Sequence, residues 1–271
     1  MSAFPDQLGS QRAYWDAAAE TYERDFTNTL VGKLWRDAVW RELDRGFRAE
    51  QRVVELNCGT GIDAIYLAER GVRVVACDVS PRMIQFARER ASAAHVLDRV
   101  DFRVLPTEWI EQLQSEAPFD GVLSNFSGLN CVRDLFAVKR KLVALLRSHS
   151  NVFLCVLGCF SPWRFLHRCS YCRSRKKLFR NGTLDSSTPV EIQRPPVKHI
   201  INLFAPEFAI RRITGIGITV PPSYLNHWAS RVPSLSRALG MVDGIIGRWP
   251  LVRHMGSCIL LQFERTALRK N

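Results

Sequence analysis

Through the first 160 residues, short apolar runs alternate with segments of helical periodicity. Strands are expected at 52–56, 72–77, 100–105, 119–124 and 151–158, each a run of Val, Leu, Phe or Cys bounded by turn residues. Helices are expected between them at 62–70, 82–93 and about 132–147, with a short one near 108–115. Ahead of the first strand, residues 11–46 read as helical, with Tyr14-Trp15, Ala18 and Tyr22 at helical spacing. Strands alternating with helices predict an α/β protein with a doubly wound, mainly parallel sheet.

After the fifth strand the pattern changes. Residues 160–206 contain no clean βα unit, although a helix opening at Ser161-Pro162-Trp163 and running through Tyr171 fits, as does a short strand at Val190–Arg194 stopped by Pro195-Pro196. A sixth strand is expected over Phe208–Ile213, a helix near 234–247 and a seventh strand near 258–264. This divides the chain into an N-terminal helical cap (1–48), a core (49–159), a basic insertion (160–206) and a closing segment (207–271) that completes a seven-stranded sheet.

The chemistry concentrates at two strand ends. Val53-Val54-Glu55-Leu56 runs into Asn57-Cys58-Gly59-Thr60-Gly61, and Val74-Val75-Ala76-Cys77 ends in Asp78. Gly59 and Gly61 can take positive φ and bring the backbone close to a ligand, with the N-terminus of the next helix facing the same space. Gly59-Thr60-Gly61-Ile62-Asp63-Ala64 formally fits the dinucleotide pattern as well. Glu55 weighs against NAD: a carboxylate beside the turn repels a pyrophosphate but suits a sulfonium cofactor with an α-amino group. Asp78 can accept both ribose hydroxyls in either case. Phe119–Phe126 reads as a strand ending in a polar-aromatic pair, Asn125-Phe126, suited to flank a cofactor.

Together these residues resemble the class I S-adenosylmethionine (SAM)-dependent methyltransferases, whose Rossmann-like fold is the doubly wound sheet expected above. The family's first motif maps onto Glu55 to Gly61, with Asn57 where glycine is usual; asparagine tolerates positive φ, so the turn survives. The resemblance implies that Asp78 binds the ribose, that Val79 to Met83 packs on the adenine, that Thr107 or Glu108 lies near the adenine amine, and that Asn125 and Phe126 belong to the fourth motif. By the same analogy Tyr14 and Tyr22 close over the methionine end, and 160–206 forms a lid over the acceptor. His227, in the expected loop Pro221-Pro222-Ser223-Tyr224-Leu225-Asn226-His227-Trp228 after the sixth strand, is the preferred candidate for a catalytic base; His167 is a candidate to face the acceptor from the lid.

Composition narrows the function further. The 271 residues are 46% hydrophobic, a globular composition. The longest apolar run, Val152–Phe160, is shorter than the roughly 20 residues that span a bilayer, so no transmembrane segment is expected. With no N-terminal targeting signal, this predicts a cytoplasmic protein, with room for loose attachment to a membrane surface. Gly244-Ile245-Ile246-Gly247-Arg248-Trp249 reads as core, dimer face or membrane contact.

Of the eight cysteines, Cys58, Cys77, Cys131, Cys155 and Cys258 fall in or beside expected core elements. Cys169 and Cys172 beside His167 lack a second ligand pair, so no metal is expected. The net charge is +12, with Arg164, Arg168, Arg173, Arg175, Lys176, Lys177 and Arg180 clustered in the insertion. This charge suits an acidic partner: an anionic small molecule, RNA or an anionic surface. The expectation is a SAM-dependent methyltransferase acting on an O, N or C atom of a small molecule in a natural-product or quinone-like biosynthetic pathway. The alternatives are an RNA or protein methyltransferase using the basic insertion, or a non-catalytic SAM-binding relative. The product of the cofactor would be S-adenosylhomocysteine.

Overall fold

Strand β1 (Arg52–Leu56) is third in a seven-stranded sheet whose order is β3-β2-β1-β4-β5-β7-β6. The computed structural model describes residues 4–163 and 190–267. β2 (Arg73–Asp78), β3 (Val100–Val104), β4 (Phe119–Ser124) and β5 (Leu146–Leu157) run parallel to β1. β7 (Cys258–Arg265) inserts antiparallel between β5 and β6 (Phe208–Ile216). The strand order reverses between β1 and β4, and in open α/β sheets the crevice at that point is where ligands bind.

Alternate residues of the central strands feed two apolar layers. Val53, Leu123 and Phe153 face one, with Val39 and Leu43 of α2 (Leu30–Gly46), Ala64 and Leu67 of α3 (Ile62–Glu69), and Ile84 and Ala87 of α4 (Pro81–Ala93). Val54, Val122 and Val152 face the other, with Leu142 and Leu145 of α5 (Leu135–Leu145), and Ile200 and Phe204 of α6 (Val197–Phe204). Helix starts follow local rules. The Ser80 hydroxyl accepts from the Met83 N–H with Pro81 at the first helical position, Thr29 accepts from Gly32, and Asp134 accepts from Ala137.

The N-terminal segment is α1 (Phe4–Tyr22), one π-helical turn (Glu23–Thr27) and α2. Glu42 on α2 is buried and accepts hydrogen bonds from Arg45 (3.2 Å), Arg212 of β6 (3.0 Å) and Arg248, tying the N-terminal helices to the far edge of the sheet. Cys58, Cys77, Cys131, Cys155 and Cys258 are buried free thiols.

Three local expectations change. Pro195-Pro196 does not merely stop a strand: Pro196 caps α6, which leads into β6, so the helix of an αβ unit falls within residues 160–206. Val190–Arg194 is not a strand; the Gln193 N–H donates to the Asn130 carbonyl (2.7 Å) and Asn130 Nδ2 to the Gln193 carbonyl, tying this stretch to the loop after β4. The stretch holding His227 is a helix, α7 (Asn226–Arg231), rather than a loop. The helix expected through Tyr171, His167, the Cys169/Cys172 pair, and the basic residues Arg164 to Arg180 lie outside the described residues.

Candidate functional site

A cavity of about 900 Å³ opens above the carboxyl ends of β1, β2 and β4, roofed by α1 and the π-turn. Its floor is the turn after β1. Asn57 takes φ +56°, Gly59 φ +54° and Gly61 φ +75°. A Cβ on Gly59 would meet no protein atom within 4 Å, so its backbone faces open space where a ligand can approach. At Gly61 the need is packing, since a Cβ there would lie 2.7 Å from the Ala87 Cβ and 2.8 Å from the Phe102 ring. Asn57 fills its glycine-like position with a useful side chain: Oδ1 accepts from the hydroxyls of Thr107 (3.1 Å) and Ser124 (3.4 Å).

Asp78 ends β2 at the rim of this turn. Its carboxylate accepts the Gly59 N–H (2.9 Å) and the Ser80 N–H (2.9 Å). Burial nonetheless pushes its pKa up to about 6, against the pull of those N–H groups, and the nearby charge of Asp16 adds to the rise. Asp16 belongs to α1. It receives the Ser80 hydroxyl and the Arg82 N–H, and so pins the roof to the start of α4. Gln11 does the same across the cavity, donating to the Cys131 carbonyl (2.9 Å).

Most of the residues expected from sequence meet at this cavity. Asp78, Val79 and Met83 line one side, Thr107 and Glu108 another, and Asn57 and Gly59 the floor. Asn125 and Phe126 close the β4 end, and Tyr14 and Tyr22 hang from the roof. Burial raises the pKa of both tyrosines, that of Tyr22 to about 12, and raises that of Glu108 against the pull of Lys141.

Two expectations need correction. Glu55 does not face the cavity. Side-chain alternation along β1 turns it under the glycine turn, where the Ala64 N–H of α3 reaches its carboxylate and Oε2 has no partner. Desolvation first, then the charge of Asp63, pushes its pKa well above the usual carboxylate range. His227 does not reach the cavity either: it is exposed on α7, while Ser223 and Tyr224 just before that helix line the wall.

A buried network stands behind the wall and was not expected from sequence. Asp63 in the first turn of α3 accepts from Trp40 Nε1 (2.7 Å) and Asn125 Nδ2 (2.9 Å) and pairs with Arg36 of α2 (3.2 Å). The Asn125 side-chain Oδ1 in turn accepts the Phe126 N–H (2.9 Å), which helps hold the positive φ of Phe126. The Arg36 guanidinium lies over the rings of Phe126 (5.1 Å) and Phe26 (5.9 Å). The available signal was an arginine at i, i+4 from a tryptophan on a helix whose other inward positions, Glu42 apart, are apolar or glycine.

The donor set fits an adenosyl cofactor. Open backbone at Gly59, a buried carboxylate at Asp78 and a cavity walled by aromatic rings supply close approach, hydroxyl recognition and an apolar seat.

Residues 53–149 match the family model described as a methyltransferase domain. The chain is 32% identical over 137 residues to the tRNA 5-carboxymethoxyuridine methyltransferase of Escherichia coli (strain K12), covering 49% of this chain and 52% of that one. It is 29% identical over 151 residues to the demethylmenaquinone methyltransferase of Clavibacter sepedonicus, covering 54% and 58%. The chain thus spans about half the length of the curated relatives it matches. Among solved structures, phosphoethanolamine N-methyltransferase 1 of Haemonchus contortus superposes with a TM-score of 0.62 at 14% identity, covering 100% of this chain and 51% of that one. Geranyl diphosphate C-methyltransferase of Streptomyces coelicolor A3(2) gives 0.52 at 17% identity, covering 85% and 78%. At these identities the structures bear on fold alone. The glycine turn, the carboxylate at the end of β2, the strand order and the match over 53–149 mark this part of the chain as a methyltransferase domain of the class I SAM-dependent kind, for which SAM is the cofactor.

Proposed function

We propose that the protein transfers a methyl group from SAM to a small-molecule acceptor held under α1. The observation that carries this reading is the cavity of about 900 Å³ roofed by α1 and walled by Trp15, Phe26, Trp35 and Tyr224. A pocket of that size and lining suits a compact, partly apolar ligand beside a cofactor.

The cofactor supplies an electrophilic methyl group on a sulfonium. The residues then have positioning work. Asp78 receives the ribose hydroxyls, and Gly59 lets the backbone come close. Val79 and Met83 pack on the adenine, with Thr107 and Glu108 at its edge. Asn125 and Phe126, braced by Asp63 and Arg36, hold the wall at the β4 end. Tyr14 and Tyr22, with pKa values raised by burial, act as hydrogen-bond donors from the roof and keep water out. In an in-line displacement, alignment and desolvation provide much of the acceleration. With His227 off the cavity, the reading favours an acceptor whose nucleophile arrives ionised or as a neutral amine, for which a strong base is unnecessary.

A second reading places the acceptor on tRNA. It is favoured by the similarity to a tRNA methyltransferase and by the net charge of +12. Calorimetric titration with SAM, S-adenosylhomocysteine and NAD, on the wild type and Asp78→Ala, tests the cofactor. Micromolar binding of both adenosyl-sulfur ligands, weakened about a hundredfold or more in the variant, is expected from the loss of charge-assisted hydrogen bonds. Binding of NAD instead would sink the reading. Transfer of labelled methyl to quinols, phenols and amines, with tRNA in parallel, separates the two acceptor classes.

A further inference from the structure

Helix α8 (Pro233–Ile246) departs from an ordinary surface helix: polar groups are buried on its inward face beside Leu239, and apolar groups also face outward. Ser236, Gly240 and Asp243 are buried. The Asp243 carboxylate accepts the N–H groups of Ile218 (3.0 Å), Thr219 (2.7 Å) and Val220 (3.2 Å), which fixes the rotation of the helix. On the opposite face, at 100° per residue, stand Ala238, Met241, Val242 and Ile245. Met241 and Ile245 leave 66% and 65% of their surface in solvent. Trp249, whose N–H still reaches the Ile246 carbonyl (2.8 Å), prolongs the turn at 54% exposure, and Leu251 beside it is 89% exposed. Single exposed apolar residues are ordinary, whereas several on one face of one element mark a contact surface.

Charge identifies what the face contacts. Between residues 226 and 257 the sole acidic residue is the buried Asp243, against Arg231, Arg237, Arg248 and Arg253. Arg248 is held by Glu42; Arg231, Arg237 and Arg253 form no ion pair with a carboxylate among the described residues. Arg41 of α2 flanks the face, its Nη2 3.2 Å from where a Gly244 Cβ would stand. Asp37, one turn earlier on α2, lies in the field of Arg41. A two-fold contact between copies through this face would gather its arginines against one flanking carboxylate per copy, Asp37, which Arg41 already attracts. A surface of anionic headgroups over an apolar layer complements both features. No helix among the described residues is long and apolar enough to cross a membrane.

We propose that the outward face of α8, with Trp249 and Leu251, docks the protein on an anionic lipid bilayer. The apolar side chains enter the headgroup–acyl boundary, and the arginines extend to the phosphates. The proposal does not depend on the acceptor chemistry.

Cosedimentation of the full chain with phosphatidylglycerol–phosphatidylcholine vesicles, and with phosphatidylcholine vesicles alone, tests it. The expected result is binding to the anionic vesicles, weakened by salt. Ile245→Asp/Trp249→Ser should lower that binding at least tenfold, and Arg231→Gln and Arg237→Gln about fivefold each. These side chains are exposed, so the variants should keep the wild-type thermal midpoint and SAM affinity, which separates a failure here from a failure of the cofactor reading. Three outcomes overturn the proposal: no binding to anionic vesicles, undiminished binding by the double variant, or a wild-type dimer that the double variant converts to monomer.

Discussion

The two sides of the sheet are built on different principles. On the β3-β2-β1-β4 side, the functional groups stand at strand ends and in the turns that follow them: Asn57 and Gly59 after β1, Asp78 at the end of β2, Asn125 and Phe126 after β4. On the β5-β7-β6 side, the organising contacts join residues far apart in sequence: Glu42 with Arg212 and Arg248, Asp243 with the backbone at 218–220, Asn130 with Gln193. The first side is specified by local backbone geometry, the second by buried charges that find partners only in the finished fold. Arg36 and Asp63 bring the second principle into the first side, where they brace the wall of the cavity.

The sharpest way to break that contrast is to remove Arg36. Arg36→Met leaves Asp63 buried beside Glu55 with no cation, and breaking a buried pair of this kind costs about 3–5 kcal/mol. Urea denaturation should show that loss, and Arg36→Met/Asp63→Leu should recover much of it. A loss below about 1 kcal/mol would mean that the pair is incidental.

Asp78 gives the next largest effect and a definite sign. Its pKa of about 6 in the folded state stands above the ordinary 3.8, so its contribution to folding stability is fully present below about 3.8 and is lost as pH rises through about 6. Cofactor binding runs the other way, because ribose hydroxyls need the ionised carboxylate as acceptor. Affinity for S-adenosylhomocysteine should therefore fall about tenfold per pH unit below about 6. Asp78→Asn should be weak throughout and lack that slope; a slope retained in the variant would assign the titration elsewhere.

On the other side of the sheet, Glu42→Gln should cost about 1.5–3 kcal/mol. That is less than the loss of Arg36, because Arg45, Arg212 and Arg248 are partly exposed and can turn to water. If the two variants proved equal, the distinction between the sides would fail. The smallest effect belongs to Asn57→Gly. It relieves a positive φ but removes the acceptor for Thr107 and Ser124, so cofactor affinity should stay within about threefold. A large gain would mean that Asn57 at the usual glycine position impairs cofactor binding, and would favour the non-catalytic alternative.

What was legible in the sequence follows the same division. The order and type of the first five strands, the glycine turn and Asp78 could be read because short apolar runs, glycine pairs and strand-end acids are local signals. Glu55 misled because an acid in a motif does not reveal which side of the strand it leaves from. His227 misled because Pro221-Pro222 suggested an open loop, whereas the backbone at 218–220 is gathered onto Asp243 and continues into α7. The Arg36–Asp63–Asn125 network stayed hidden because its members lie on three elements, and α6 because the prolines before it read as an end rather than a beginning.

The position of β7 has a consequence for synthesis. As the chain leaves the ribosome, β1 to β5 can assemble with their helices, but β6 has no neighbour until β7 arrives to lie between it and β5. Until residues 258–265 emerge, β5 and β6 are both open edges able to pair with another nascent chain. The strand made after all the others is the one that closes the sheet, so interrupted translation leaves a product whose glycine turn can form but whose second half remains an exposed template.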